Sequence, residues 1–168
     1  MTLDKSSGAI SGTPTKAASA SVTITAPPQG TTTKNQQTFT LTIHKGAADL
    51  GTLKVTNGGT KTTTFTYGDT ITVSGTIKAS GTAPQANTLA APGKNQAALL
   101  LGGTQLTDPV AVAGNGSFTI SYKTSEKGIQ TTGQAQILTV KYGGSDDLNE
   151  GSAACSITLN PKKVQAEV

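Results

Sequence analysis

Short segments in which apolar and polar residues alternate recur along the chain, the pattern of strands that bury one face and wet the other. Residues 21–26, SVTITA, place Val22, Ile24 and Ala26 on one side, and Pro27-Pro28 then ends the ladder because proline has no N–H to donate. After a polar run, TFTLTI sets Phe39, Leu41 and Ile43 against Thr38, Thr40 and Thr42, and residues 45–51 read as a connector. TTTFTY puts Phe65 and Tyr67 together, and beyond Gly68-Asp69 the segment TITVSGTI aligns Ile71, Val73 and Ile77, with Gly75 marking a bulge. Residues 79–96 lack any period and read as a long loop. AALLLGG then reads as a short buried strand. Strands over 106–112 and 117–123 flank Asn115-Gly116, which predicts a two-residue hairpin turn. QILTVKY places Leu138, Val140 and Tyr142 inward and Lys141 outward, GGSDDLNEGS is a polar loop, and ACSITL returns with Cys155, Ile157 and Leu159 inward.

No apolar period of 3.6 persists, and strand candidates recur about every 8 to 12 residues, the spacing of a sandwich or barrel. The fold class is therefore all-β, an immunoglobulin-like β-sandwich of Greek-key type. Its expected core is Ile71, Val73, Leu99, Phe118, Ile120, Leu138, Val140, Ile157 and Leu159.

Composition strengthens this picture. Of 168 residues 31 are threonine, a β-branched residue suited to a half-wet strand face, while charged residues make up only 13%. The net charge of +4 invites a nucleic-acid reading, but all 13 basic residues are lysine, so the bidentate phosphate and guanine contacts of arginine are missing. The lysines are also scattered, which fits solvated strand faces and no nucleic-acid partner. A single cysteine excludes a disulfide framework within the chain and any multi-thiolate metal site. No apolar run reaches the about 18 residues that span a bilayer, and the opening MTLDKSSGAI lacks the basic and apolar regions of a signal peptide.

Residues able to carry chemistry are few. His44 is the only histidine and falls on the threonine face of its strand, so a triad or a multi-histidine metal site has nothing to build on; it reads as a solvated or interface side chain. Cys155 shares a face with Ile157 and Leu159 and reads as an inert buried thiol. Asp146, Asp147 and Glu150 offer oxygen ligands in a glycine-rich loop and are the candidate Ca²⁺ ligands, although the alternating ligands of a dedicated calcium loop are missing; the plainer reading is a charged loop that keeps one end of the sandwich soluble. A calcium site between domains would draw on Asp4 with Asp69 or Asp49. The glycines form neither a phosphate-binding loop nor a dinucleotide fingerprint, so no cofactor is expected.

Two resemblances follow from these segments. TLDKSSGAISGTPTKAASASVTITA, with Leu3, Asp4, Gly8, Ile10, Ser11, Gly12, Thr13 and Pro14 in place, resembles the second half of the immunoglobulin-like, cadherin-related repeats of bacterial surface proteins. The Leu-Pro-x-Gly-Leu half is missing, and Ala18-Ser19-Ala20 replaces the usual aromatic. FTYGDTITVSGTIKAS, AVAGNGSFTISY and ILTVKYGGSDDLNEGSAACSITL together are similar to the group-three bacterial immunoglobulin-like repeats, with Leu148 where that loop often has tyrosine.

The resemblances imply a partial repeat over 1–46, an immunoglobulin-like domain over 50–161 and a tail or linker over 162–168. They also imply a non-catalytic spacer or adhesive module outside a Gram-positive-type cell, at its surface or cell wall. Its partners would be neighbouring immunoglobulin-like domains, with host or cell-wall glycans or proteins beyond them. Half a repeat lacks a core of its own, so the first segment is expected to supply strands that lean on the second domain, pair with another chain or stay partly disordered. The alternative is a carbohydrate- or ligand-binding accessory module. It is disfavoured because tryptophan is absent and all six aromatics, Phe39, Phe65, Tyr67, Phe118, Tyr122 and Tyr142, lie on apolar strand faces.

Overall fold

The computed structural model describes residues 1–26, 35–80, 93–126 and 129–162. The chain forms two compact units, residues 1–45 and residues 46–168. Every regular element among the described residues is a strand, and the fold class is all-β with an immunoglobulin-like β-sandwich.

In the first unit, β1 (Thr2–Leu3) pairs with β2 (Ile10–Ser11) around a turn that Asp4 organises. The Asp4 carboxylate accepts hydrogen bonds from the backbone N–H and hydroxyl of Ser6 and the hydroxyl of Ser7, at 2.7–2.8 Å. Gly8 completes the turn at φ +73°, a conformation glycine adopts without steric cost. β3 (Ala18–Ala26) and β4 (Asn35–Ile43) form a nine-residue antiparallel ladder in which Val22 faces Phe39 and Ala20 faces Leu41. The opposite face pairs hydroxyls, with Thr23 and Thr38 at 2.9 Å and Ser19 and Thr42 at 3.1 Å. No described residue of this unit is buried.

The second unit begins with β5 (Ala47–Asp49), which pairs with β10 (Lys78–Ser80). This overturns the connector expected at 45–51 and the loop expected from residue 79. Ala-Ala-Asp carries no β-branched or aromatic residue, so the strand has no local signal and exists through its partner. Residues 81–92 of the expected loop lie outside the described residues. β6 (Lys54–Asn57) and β7 (Thr60–Lys61) form a hairpin through Gly58-Gly59, at φ +54° and +86°, which was not among the expected strands. β8 (Thr64–Thr66) follows, and then β9 (Thr70–Thr76), β11 (Gln96–Leu101), β12 (Thr104–Gln105), β13 (Val110–Ala111), β14 (Ser117–Lys123), β15 (Ala135–Tyr142) and β16 (Gly151–Asn160). Only β12 and β13 stand around the strand expected over 106–112.

One sheet runs β14-β9-β6-β7 and the other β12-β11-β15-β16-β8, with β13 also on β11; β8 joins β16 in parallel. Val55, Ile71, Val73, Phe118 and Ile120 from the first sheet and Leu99, Leu138, Val140, Ile157 and Leu159 from the second meet in a single core. All nine core residues expected from the sequence are buried. Burying aliphatic side chains of this size stabilises by roughly 1.5–3 kcal/mol each before entropy is counted.

Four local expectations are corrected here. The β9–β14 ladder is continuous, so Gly75 makes no bulge; it faces Phe118, whose ring would lie 2.9 Å from any added Cβ, and glycine is needed for that close approach. Asn115-Gly116 does turn the chain, but as a three-residue loop closed by Gly116 N–H to Ala113 O at 2.8 Å and Ala113 N–H to Ser117 O at 2.9 Å. Only Gly116, at φ +82°, is left-handed there, and the turn carries the chain from β13 in one sheet to β14 in the other. Tyr67 is exposed because the turn closed by Asp69 N–H to Thr66 O ends the alternation one residue before it, and Phe39 is also exposed, on a face that the described residues of the first unit do not bury. Lys141, expected in solvent, is only 1% exposed. It stands opposite Ala98, which is buried too, because the outward face of β11 and β15 is also covered at this point.

Candidate functional site

The residues singled out for chemistry do not converge. Asp146 forms an ion pair with Lys94, and Glu150 Oε2 lies 3.8 Å from Lys141 Nζ. Asp147 contributes main-chain groups: its N–H donates to the Ser145 hydroxyl at 3.2 Å and its C=O accepts from Gly46 at 2.9 Å. Among the described residues no group of three or more His, Cys, Asp and Glu side chains is gathered as metal ligands. Asp49 accepts from Gly51 N–H at 2.8 Å and Asp69 from Thr66 N–H at 2.7 Å, so each shapes the turn beside it, as Asp4 does in the first unit. The serine bonds hold the Asp4 carboxyl well below the usual carboxylate range.

His44 is exposed just beyond β4. Cys155, opposite Leu138 on β16, is half-buried against the core rather than fully enclosed. Burial pushes its thiol upward, so little thiolate forms at neutral pH, and thiolate is the reactive form. Lys141 Nζ is buried without a hydrogen-bond partner among the described residues, which is costly for an ammonium group and only partly offset by the half-exposed Glu150.

The best-organised polar feature centres on Asn95, which the sequence did not mark. It is the only non-glycine residue with positive φ among the described residues, at +54°, and uses all four of its polar groups. Its N–H donates to Gly144 O at 2.6 Å, its C=O accepts from Val112 at 3.0 Å, its side-chain amide donates to Val112 O at 3.1 Å, and its amide oxygen accepts from the Tyr142 hydroxyl at 3.1 Å. Three segments are thereby fixed at one end of the sandwich: the start of β11, the turn before β14 and the loop after β15. Asparagine suits the position because it tolerates the left-handed region and its short amide reaches neighbouring backbone. A groove of about 360 Å³ opens there, lined by Asn95, Asn115, Tyr142, Ser145 and Asp147 among others.

A second hub is Thr124. Its buried hydroxyl accepts from Gly68 N–H at 2.8 Å and faces the carbonyls of Thr66 and Asp69 at 3.1 and 3.0 Å. It ties the end of β14 to the turn between β8 and β9. A larger open groove of about 520 Å³, lined by Asp49, Lys54, Lys78, Ser74, Thr76 and Thr119 among others, lies along the β6–β9–β14 sheet. The groove beside Asn95 presents side-chain amides and hydroxyls, and the larger one presents hydroxyls with the charged side chains of Asp49, Lys54 and Lys78, groups that bind or pack.

The architecture defines an immunoglobulin-like structural module. Comparison with known families agrees for the first unit: residues 1–44 match the family model described as Putative Ig domain. No curated protein matches the chain, and no solved structure does. No helix among the described residues is long and apolar enough to cross a membrane.

Proposed function

We propose that this chain is a non-catalytic spacer or adhesive module of an extracellular bacterial surface protein of the Gram-positive type. The observation that carries the reading is the match of residues 1–44 to an immunoglobulin-like family directly ahead of an immunoglobulin-like sandwich, the arrangement of repeats in series. In this reading the partial repeat covers 1–46, a group-three bacterial immunoglobulin-like domain covers 50–161, and 162–168 is a tail or linker. Neighbouring immunoglobulin-like domains are its primary partners, and its work is to hold something at a distance from the cell wall. Antibodies raised against the chain should label intact cells of the source organism without permeabilisation. Labelling seen only after lysis would contradict the reading.

A second reading, a glycan- or ligand-binding accessory module, draws on the amide- and hydroxyl-lined groove beside Asn95. It requires that the chain retain host or cell-wall polysaccharides in a binding assay and that Asn115→Ala abolish the retention. Absence of retention by the unmodified chain would leave the spacer reading alone.

A further inference from the structure

The sequence holds two Asn-Gly pairs, Asn57-Gly58 and Asn115-Gly116, and the structure treats them differently. At the second, the reaction that such pairs undergo is blocked on every side. Gly116 N–H is spent on Ala113 O at 2.8 Å, its carbonyl accepts from Ile77 N–H at 2.9 Å, and a Cβ placed on it would fall 2.2 Å from Ile77 O, so the backbone is wedged in place. The Asn115 amide oxygen is itself held by Ser117 N–H at 3.0 Å.

At the first pair none of these restraints exists among the described residues. Gly58 and Gly59 are the central residues of a two-residue turn in which both have positive φ, a geometry that leaves the N–H of the first one unbonded. The Asn57 amide makes no hydrogen bond among the described residues, and nothing lies within 4 Å of the space beside Gly58 or Gly59. The hairpin is also weakly held, since β7 has only two residues and pairs with β6 alone at the edge of its sheet.

We infer that Asn57 is a site of spontaneous covalent modification, converting to aspartate and isoaspartate while Asn115 is protected by the fold. The Gly58 backbone nitrogen attacks Asn57 Cγ and gives its proton to solvent. The bond from Cγ to the side-chain nitrogen breaks, and ammonia leaves with a proton taken from water. A five-membered succinimide remains, and a water molecule opens it at either carbonyl. Attack at one carbonyl gives aspartate; attack at the other gives isoaspartate, in which the main chain runs through the former side-chain carbon. Each product adds a negative charge to a chain of net +4, and the longer main chain of isoaspartate breaks the pairing of Asn57 with Thr60. The edge hairpin would thus change charge and register with the age of the protein.

Incubating the intact chain at mildly alkaline pH and mapping its peptides by mass spectrometry at intervals tests this, with isoaspartyl methyltransferase labelling to identify the isomer. Acid forms should accumulate at Asn57 at least about tenfold faster than at Asn115, because each hydrogen bond that must open first lowers the reactive population by roughly three- to tenfold. In urea the two rates should become similar, since both pairs then have the same local sequence chemistry. Equal rates in the native chain would overturn the inference. So would faster conversion at Asn115, or an Asn57 that stays intact in the native chain while converting in urea.

Discussion

The β3–β4 hairpin and the sandwich strands β9 and β14 carry the same alternating code, yet their apolar residues meet different fates. Val22, Ile24, Leu41 and Ile43 are only half-buried and Phe39 is 37% exposed, whereas Ile71, Val73, Phe118 and Ile120 are all buried. The ladders are comparable, nine paired positions in the hairpin and seven between β9 and β14. What separates them is the second layer: the sandwich sets another sheet against its apolar face, and the described residues of the first unit supply none. Alternation therefore specifies which face is apolar, while burial and stability come from the layer laid over it.

The comparison can be tested by equivalent changes in the two regions. The largest contrast is expected from leucine truncation. Leu138→Ala in the sandwich core should cost about 2–5 kcal/mol through lost burial and the cavity left behind. Leu41→Ala in the hairpin should cost less than about 1 kcal/mol, as ordinary surface changes do. Chemical denaturation of each variant gives both numbers, and equal losses would break the comparison.

Glycine substitution comes next. Gly8→Ala and Gly116→Ala both force alanine into a left-handed conformation, worth roughly 1–2 kcal/mol. Only Gly116 adds a clash, at 2.2 Å from Ile77 O, whereas no described residue lies within 4 Å at Gly8. Gly116→Ala should accordingly lower the melting temperature of the sandwich, and Gly8→Ala should leave it in place.

Hydroxyl removal separates the regions by a smaller margin. Thr124→Val strips the buried hub of its hydroxyl and leaves Gly68 N–H without its partner, at a cost of about 1–3 kcal/mol. Thr23→Val breaks an exposed bond to Thr38 and should change stability by no more than roughly 0.5 kcal/mol.

The smallest effects concern pH, and they have opposite signs. The Asp4 carboxyl is held low by Ser6 and Ser7, so the order it gives the first turn is present above its unfolded value and is lost as pH falls through the folded one. The Cys155 thiol is raised by burial, so its contribution is present below the unfolded thiol value and is lost as pH rises through the folded one. Alkylation of Cys155 should be slower in the folded chain than in urea at mildly alkaline pH, and equal rates would show the thiol to be open.

Much of the sandwich was legible in the sequence because its strands are long, alternate cleanly and carry Val, Ile, Leu and Phe at inward positions, as in Ile71-Val73 and Leu138-Val140. Three kinds of feature were not. Short strands such as β5 owe their existence to a distant partner, which Ala-Ala-Asp does not announce. Lys141 shows that alternation distinguishes two faces without telling whether the second is also covered. Asn95 acts through a left-handed backbone and four bonds that tie its own segment to two others, and a lone asparagine at the end of an irregular stretch carries no trace of that. A signal did exist for the β6–β7 hairpin, in the run Asn57-Gly58-Gly59 between alternating residues, the pattern of a tight turn with positive φ at both central positions. Of the candidate site, the sequence marked the acidic loop but not the lysines that engage it, since Lys94 and Lys141 are distant or strand-embedded.

Native-state hydrogen exchange of the full chain, read residue by residue, addresses the central claim most directly. Amides of β9, β11, β14 and β15 should exchange only through global unfolding of the sandwich, while those of β3 and β4 should exchange through much cheaper local opening. Protection across β3 and β4 equal to that of β15 would contradict the account, because it would mean that the hairpin shares a cooperative core that residues 1–45 do not show.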